Sequence, residues 1–127
     1  MAYANTVGVT RKSNEVLVTI SESEVASSSE ADVIALGFTK GRILRQTCVL
    51  MSGTGTTVDP VIGIATNPAG ANIALENGTA AATVDNQVAG GATFFATTGN
   101  LYHRSNPDAG TDNTIVTTYH ILVGWGA

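Results

Sequence analysis

The chain has 127 residues, of which 43% are hydrophobic and 13% charged, and its formal net charge is −4 at pH 7. This length is typical of one folded domain. The six basic residues are scattered, which argues against a nucleic-acid partner, because such a partner needs clustered Lys and Arg to replace phosphate counterions. No apolar run reaches the length of a membrane span, and the first residues lack the apolar core of a signal peptide. We therefore expect a weakly charged domain with neither nucleic acid nor membrane as its partner.

Residue usage favours strands over helices. Ala, Gly, Thr and Val are abundant, whereas the helix formers Glu, Lys, Leu and Arg are scarce, a balance typical of strands joined by Gly-rich turns. The single Cys48 cannot form a disulfide within the chain and fits synthesis in a reducing cytoplasm. Because the surface carries so little charge, we expect part of it to be covered by a partner or by copies of the same chain.

The first segment, residues 1–14, has no clear hydrophobic period and is predicted to be an extended N-terminal arm, ordered only against a neighbour. The β-sandwich domain would then span residues 15–127. EVLVTI is its first predicted strand, and the Ser-rich SESEVASSSEAD is either a loop or a strand followed by a loop. The basic residues of the arm and of the next long strand are predicted to contact protein partners: Arg11, Lys12, Arg42 and Arg45.

The middle of the chain contains further strand patterns. VIAL and residues 42–51 are predicted strands, and the second is apolar on both faces, which requires burial of both or a covering subunit on one. GTGTT is a predicted turn, residues 58–65 a strand, and the Ala- and Gly-rich residues 71–92 short strands or a helical turn. In the long strand the two expected faces are Ile43, Val49 and Met51 against Leu44, Cys48 and Leu50.

The last part of the chain is predicted to be a β-hairpin. TFFAT forms a strand, and residues 101–105 and 114–124 are the two hairpin strands, joined by the turn-forming NPDAGTDN. Strands recurring about every ten residues, with turn signals between them, indicate an all-β antiparallel sandwich or barrel. The final strand alternates clearly, and its more apolar face, expected to point into the core, carries Ile115, Thr117, Tyr119, Ile121, Val123 and Trp125.

Two histidines, each preceded by tyrosine, suggest a metal site at first sight. In the predicted hairpin His103 lies opposite Val116, so His120 is about 13 Å away along the strand. A register shift of one residue would place the two histidines on opposite faces. Zinc ligands lie about 2 Å from one ion, and we therefore interpret these histidines as independent.

The other candidate sites also favour structural roles. Asp108 and Asp112 are too widely spaced for a calcium loop and are expected to stabilise their own turn. SGTGTT lacks the lysine of a phosphate loop, and Cys48, in an apolar strand, is expected to be inert. We predict no catalytic, cofactor or metal site. A hydrolase using a carboxylate pair, such as Asp59 with Asp85, is left as an alternative.

Three stretches follow one another in the chain: ADVIALGFTKGRILRQTCVLMS, VDPVIGIA and GNLYHRSNPDAGTDNTIVTTYHILVGW. The first joins a short apolar strand, a Gly-containing turn and a long outward strand, and the second is a strand with small residues at its end. In the third, an LY strand leads through a Gly/Asp loop to a final strand. In this order, over roughly residues 31–125, they resemble small virion structural proteins of tailed bacteriophages.

That resemblance implies a jelly-roll-like β-sandwich that works by assembling. Such proteins often decorate or cement a capsid, frequently as trimers. We therefore expect a non-enzymatic virion protein, made in the host cytoplasm, whose partners are its own copies and the major capsid protein. The alternative is a tail or virion-surface module that binds carbohydrate or a host receptor through exposed aromatics such as Tyr102 and Trp125. Most aromatic residues are expected to be core residues instead.

Overall fold

The computed structural model describes residues 4–25, 31–76, 81–110 and 112–124. Within these ranges the chain is built from strands, with one short 3₁₀ turn at Gly70–Asn72 and no helix that could span a membrane. In chain order the strands are β1 Ala4–Lys12, β2 Glu15–Val25, β3 Asp32–Ala35, β4 Lys40–Ser52, β5 Val61–Gly63, β6 Ile73–Glu76, β7 Thr83–Phe95, β8 Asn100–Arg104 and β9 Asn113–Val123.

The strands form two antiparallel sheets. The larger has the order β1-β2-β9-β4-β7, and the smaller has the order β3-β8-β5-β6. Their facing sides enclose a core of aliphatic side chains contributed by both sheets. The predicted all-β antiparallel sandwich is therefore confirmed.

The N-terminal segment differs from the predicted arm. Ala4–Lys12 pairs with β2 in unbroken antiparallel register, from Ala4 opposite Ser23 to Lys12 opposite Glu15. The segment is extended, as expected, but it is the edge strand of the larger sheet. Its side chains are mostly exposed, because the smaller sheet covers little of this edge, and this exposure explains why the sequence carries no hydrophobic period there.

The face of β9 was predicted correctly. Ile115, Tyr119 and Ile121 are fully buried, and the intervening side chains are half-exposed. Thr117 and Val123 are also fully buried on the core face. Trp125, assigned to the same face, lies outside the described residues.

The predicted faces of β4 were wrong. A β-bulge between Ile43 and Arg45 inserts one extra residue of β4 into its pairing with β9, and the register between β4 and β7 breaks at the same place. Because a bulge reverses the alternation beyond it, Ile43 and Cys48 are both fully buried, although strict alternation placed them on opposite faces. Val49 consequently lies half-buried on the outer side.

The predicted closing hairpin was also wrong. β8 pairs with β3 and β5 in the smaller sheet, whereas β9 lies between β2 and β4 in the larger sheet. NPDAGTDN therefore crosses from one sheet to the other. His103 lies in the core against Tyr119, and His120 lies on the outer side of β9, so the larger sheet separates the two imidazoles.

Candidate functional site

The side of the larger sheet that faces away from the core, here called the outer face, is the first candidate surface. Within the described part of the chain, no further layer packs on it. Threonines and apolar side chains dominate its central strands, and Leu17 is 48% exposed. The apolar members are Leu17, Val49, Val116 and Leu122. An exposed sheet face with this composition is suited to burial against another protein.

The outer face contains a groove of about 540 Å³ across β1, β2, β9 and β4. Side chains from all four strands line it, so its shape is fixed by the sheet. Its lining residues with charged or titratable side chains are Lys12, Glu15, Arg45 and His120.

The charges in and beside this groove are largely compensated. Nε and Nη2 of Arg45 donate to Oδ1 and Oδ2 of Asp85, at 2.9 and 2.8 Å. This bidentate hydrogen bonding holds the pKa of Asp85 below its usual range. Nε2 of His120 lies 3.8 Å from Oε1 of Glu15. The groove therefore has no strong electrostatic field of one sign, and shape and local contacts would dominate recognition there.

The four basic residues predicted to contact partners do not form one cluster. Lys12 and Arg45 line the same groove. Arg11, on the opposite face of β1, places its guanidinium 4.5 Å from the ring centroid of Phe38 and donates to the carbonyl of Ser13. Arg42 is half-buried and donates to the carbonyl of Gly90 at 3.3 Å.

A second candidate lies in the core, where polar side chains are linked in what we call the buried polar chain: Gln46, Tyr119, His103, Glu22 and Ser105. Nε2 of Gln46 donates to the Tyr119 hydroxyl at 3.0 Å, and that hydroxyl lies 2.6 Å from Nδ1 of His103. Nε2 of His103 is 3.0 Å from Oε1 of Glu22, which also accepts from the Ser105 hydroxyl at 2.9 Å.

The geometry of the buried polar chain argues for a structural role. In a serine–histidine–carboxylate triad, the hydroxyl and the carboxylate bind different nitrogens of the imidazole. Here Ser105 and Glu22 both approach Nε2 of His103, and the Tyr119 hydroxyl occupies Nδ1. All five residues are at most 4% exposed, so a substrate could not reach them. Burial also raises the pKa of Tyr119 well above its usual value, which keeps the phenol protonated.

Sequence reasoning missed three members of the buried polar chain: Glu22, Gln46 and Ser105. Glu22 had a detectable signal, because it continues the every-second-residue series of Val16, Val18 and Ile20, all of which are buried. The bulge concealed the inward direction of Gln46. Cys48, predicted to be inert, lies beside the buried polar chain, where burial raises its thiol pKa to about 11.

The loop aspartates form a third polar group, here called the loop clamp, which consists of Asp108, Asp112 and residues 53–57. Asp108 accepts from the backbone N–H groups of Thr56 and Thr57, at 2.7 and 2.9 Å, and from the Thr56 hydroxyl at 2.6 Å. Asp112 accepts from the backbone N–H and the hydroxyl of Thr54. These bonds lower the pKa of both aspartates. The aspartates thus stabilise a distant loop, and the N–H groups of SGTGTT bind carboxylates of the same chain.

The remaining predicted sites are dispersed. Asp85 is paired with Arg45, and Asp59 is exposed, with its backbone carbonyl accepting from Asn106. Tyr102, predicted as an exposed aromatic in the carbohydrate-binding alternative, is only 9% exposed, and Phe94 and Tyr119 are also buried. Phe95, by contrast, is 61% exposed.

Comparison of the sequence with protein-family models found no match, and comparison with curated proteins found none either. The case for a function therefore rests on the residues of the chain itself.

Proposed function

We propose that this protein is a non-enzymatic structural protein of a tailed-bacteriophage virion, a capsid decoration or cement protein that assembles with its own copies and with the major capsid protein. It would be made in the host cytoplasm and act on the virion. The outer face of the larger sheet is the observation that carries this proposal, together with the three stretches that resemble such proteins.

The strand order supports a jelly-roll interpretation of the sandwich. Without β1, the sheets have the orders β2-β9-β4-β7 and β3-β8-β5-β6, which give two four-stranded antiparallel sheets with connections that pass between them. Eight strands in two sheets linked in this way are typical of jelly rolls, a fold used by many capsid proteins. Fold alone does not define function, so the surface must provide the rest of the argument.

The outer face supports a role in assembly. Leu17, Val49 and Val116 leave apolar area in water on the isolated chain, and burying such area stabilises a complex by about 25 cal/mol per Å². Lys12 and Arg45 lie at the groove on this face, and the charge of Arg45 is already compensated by Asp85. A surface of this kind favours a broad contact over capture of a small ligand.

The mechanism follows from differential binding. A protein that binds the assembled capsid surface better than separate capsid subunits shifts the equilibrium toward the assembled shell. Each bound copy adds its contact energy to the lattice, so a weak individual contact is multiplied over the shell. Such a role needs no reacting group.

A matched pair of substitutions tests this proposal. Leu17 and Val33 are 48% and 50% exposed, but Leu17 lies on the outer face and Val33 on the outside of the smaller sheet. We expect wild type and Val33→Lys to co-sediment with undecorated capsids built from the major capsid protein encoded near this gene. Leu17→Lys should bind about tenfold more weakly, because it places a charge in the buried contact. Wild-type protein that stays in the supernatant would contradict the proposal.

A further inference from the structure

Strand β1 has an unusually regular free edge. Within the described residues it pairs only with β2, over nine residues and without a register shift. Ala4–Lys12 contains no proline, its two charged residues, Arg11 and Lys12, lie together at its end, and Val9 is 44% exposed. Long, regular edges of this kind present unpaired N–H and C=O groups to any complementary strand, and proteins usually protect them with bulges, prolines or charges.

The opposite edge of the same sheet is protected in this way. β7 breaks register with β4 at the bulge, and Gly90 and Gly91 adopt φ values of 77° and 83° there. A strand with such a distortion cannot present a continuous row of backbone groups. Of the two edges of the larger sheet, β1 is therefore the one suited to strand addition.

We propose that β1 of one copy pairs antiparallel with β1 of a second copy about a two-fold axis at Gly8, so that the two larger sheets become one continuous sheet. In this register Val7 lies opposite Val9 and Thr6 opposite Thr10, each pair occurring twice. Cross-strand Val–Val and Thr–Thr pairs are favourable. All nine residues of β1 find a partner, and the contact is self-complementary, as a two-fold interface requires.

Charge complementarity supports the same register. Arg11 of each copy lies opposite Asn5 of the other, and Nδ2 of Asn5 donates to the Asp32 carboxylate at 2.8 Å. Asn5 and Arg11 occupy the same face of β1, so each Arg11, which stacks on Phe38 in the single chain, would lie across from an acidic side chain of the other copy. An in-register parallel pairing would instead place Arg11 beside Arg11 and Lys12 beside Lys12, which is unfavourable.

Disulfide trapping tests this contact, because the two-fold axis places Gly8 opposite Gly8. A Cβ added at Gly8 would meet only the carbonyl of Thr19, at an ordinary 3.8 Å, so Gly8→Cys should fold normally. Directly opposed residues in an antiparallel pair lie at the Cα separation that disulfides require. We expect mild oxidation to convert Gly8→Cys into a covalent dimer. The native Cys48 is fully buried and should not compete.

Thr6→Cys is the matched control, since it lies on the same face of the same strand. In the proposed register its own copy is about 13 Å away, so alone it should yield at least about tenfold less disulfide dimer than Gly8→Cys. A mixture of Thr6→Cys with Thr10→Cys should form the mixed dimer. Equal trapping of Gly8→Cys and Thr6→Cys would indicate random collision and overturn the register.

Light scattering on wild-type protein gives a second measurement. We expect twice the 13.0 kDa chain mass, and we expect Val9→Lys, which places a charge opposite Val7, to dissociate about tenfold more readily. A wild-type monomer, or a trimer without trapping at Gly8, would overturn the two-fold contact. The inference does not depend on capsid binding: a trapped dimer that fails to bind capsids would contradict only the proposed function.

Discussion

Carboxylates organise two regions of this molecule in opposite environments. In the buried polar chain, Glu22 bonds to His103 and Ser105 inside the sandwich. In the loop clamp, Asp108 accepts three hydrogen bonds from residues 56 and 57 at the protein surface. The two regions use similar bonds, but only the carboxylate of the first is buried.

That difference determines what each region contributes. A polar group that loses its partner inside a protein cannot recover the bond from water, whereas a surface group can. The buried polar chain should therefore fix how the two sheets stack, because it joins β2, β4 and β9 of one sheet to β8 of the other. The loop clamp should fix a local loop conformation, at smaller energetic cost when it is broken. Substitutions with successively smaller expected losses of stability can test this contrast.

The largest expected effect is that of Glu22→Ala. It would leave Nε2 of His103 and the Ser105 hydroxyl without their shared acceptor and would open space in the core, so we expect a loss of about 3 kcal/mol in the free energy of unfolding. Urea unfolding monitored by circular dichroism measures this loss. Glu15→Ala, on an exposed position of the same strand, is the control and should be nearly neutral. Equal effects of the two substitutions would refute the special role of the buried polar chain.

A smaller effect is expected for Tyr119→Phe, which removes one oxygen and keeps the ring. The hydroxyl accepts from Gln46 and contacts Nδ1 of His103 at 2.6 Å, so two buried groups lose a partner. We expect a loss of about 1–2 kcal/mol, measured in the same urea experiment. Tyr102→Phe provides a comparison at a tyrosine that is not part of the buried polar chain. If Tyr119→Phe were as stable as wild type, the hydroxyl would not contribute to stability.

The sequence predicted the parts of this fold in which side-chain alternation is unbroken. β9 alternates from Ile115 to Val123, because one side faces the core along its whole length, and its buried face followed directly. The same reasoning did not detect β1 as a strand of the sheet. An edge strand buries few side chains, so its sequence shows no hydrophobic period. In β4 the alternation was misread beyond Ile43, because a bulge is not visible as a residue pattern.

Long-range placement was the other limit. Turn-forming residues in NPDAGTDN indicate that the chain reverses, but the same residues serve a tight hairpin and a crossing between sheets. The aspartates of that segment accordingly bind residues 54–57 instead of their own turn. The buried position of His103 likewise depends on β8 pairing with β3 and β5, which no local pattern encodes.

The smallest expected effect concerns the loop clamp and its pH dependence. Hydrogen bonds from the Thr56 side chain, then from the backbone of Thr56 and Thr57, lower the pKa of Asp108 below its usual range. A carboxyl whose pKa is lower in the folded state than in the unfolded state stabilises the fold above its unfolded pKa of about 3.9. This stabilisation is lost as the pH falls from there toward the folded-state pKa. Removing the carboxylate should therefore matter at neutral pH and matter less in acid.

Asp108→Asn tests this expectation. The melting temperature of the variant should lie below that of wild type at pH 6, and the gap should narrow steadily from pH 4 to pH 2, about where an unfolded carboxyl becomes protonated. Asp59→Asn, at an exposed aspartate outside the loop clamp, controls for the loss of one negative charge. If the difference in melting temperature stayed constant across this pH range, Asp108 would act through the shape of the loop and not through its charge. If Asp108→Asn lowered the melting temperature at pH 6 more than Glu22→Ala does in the same assay, the contrast would be reversed. The exposed carboxylate would then contribute more to stability than the buried one.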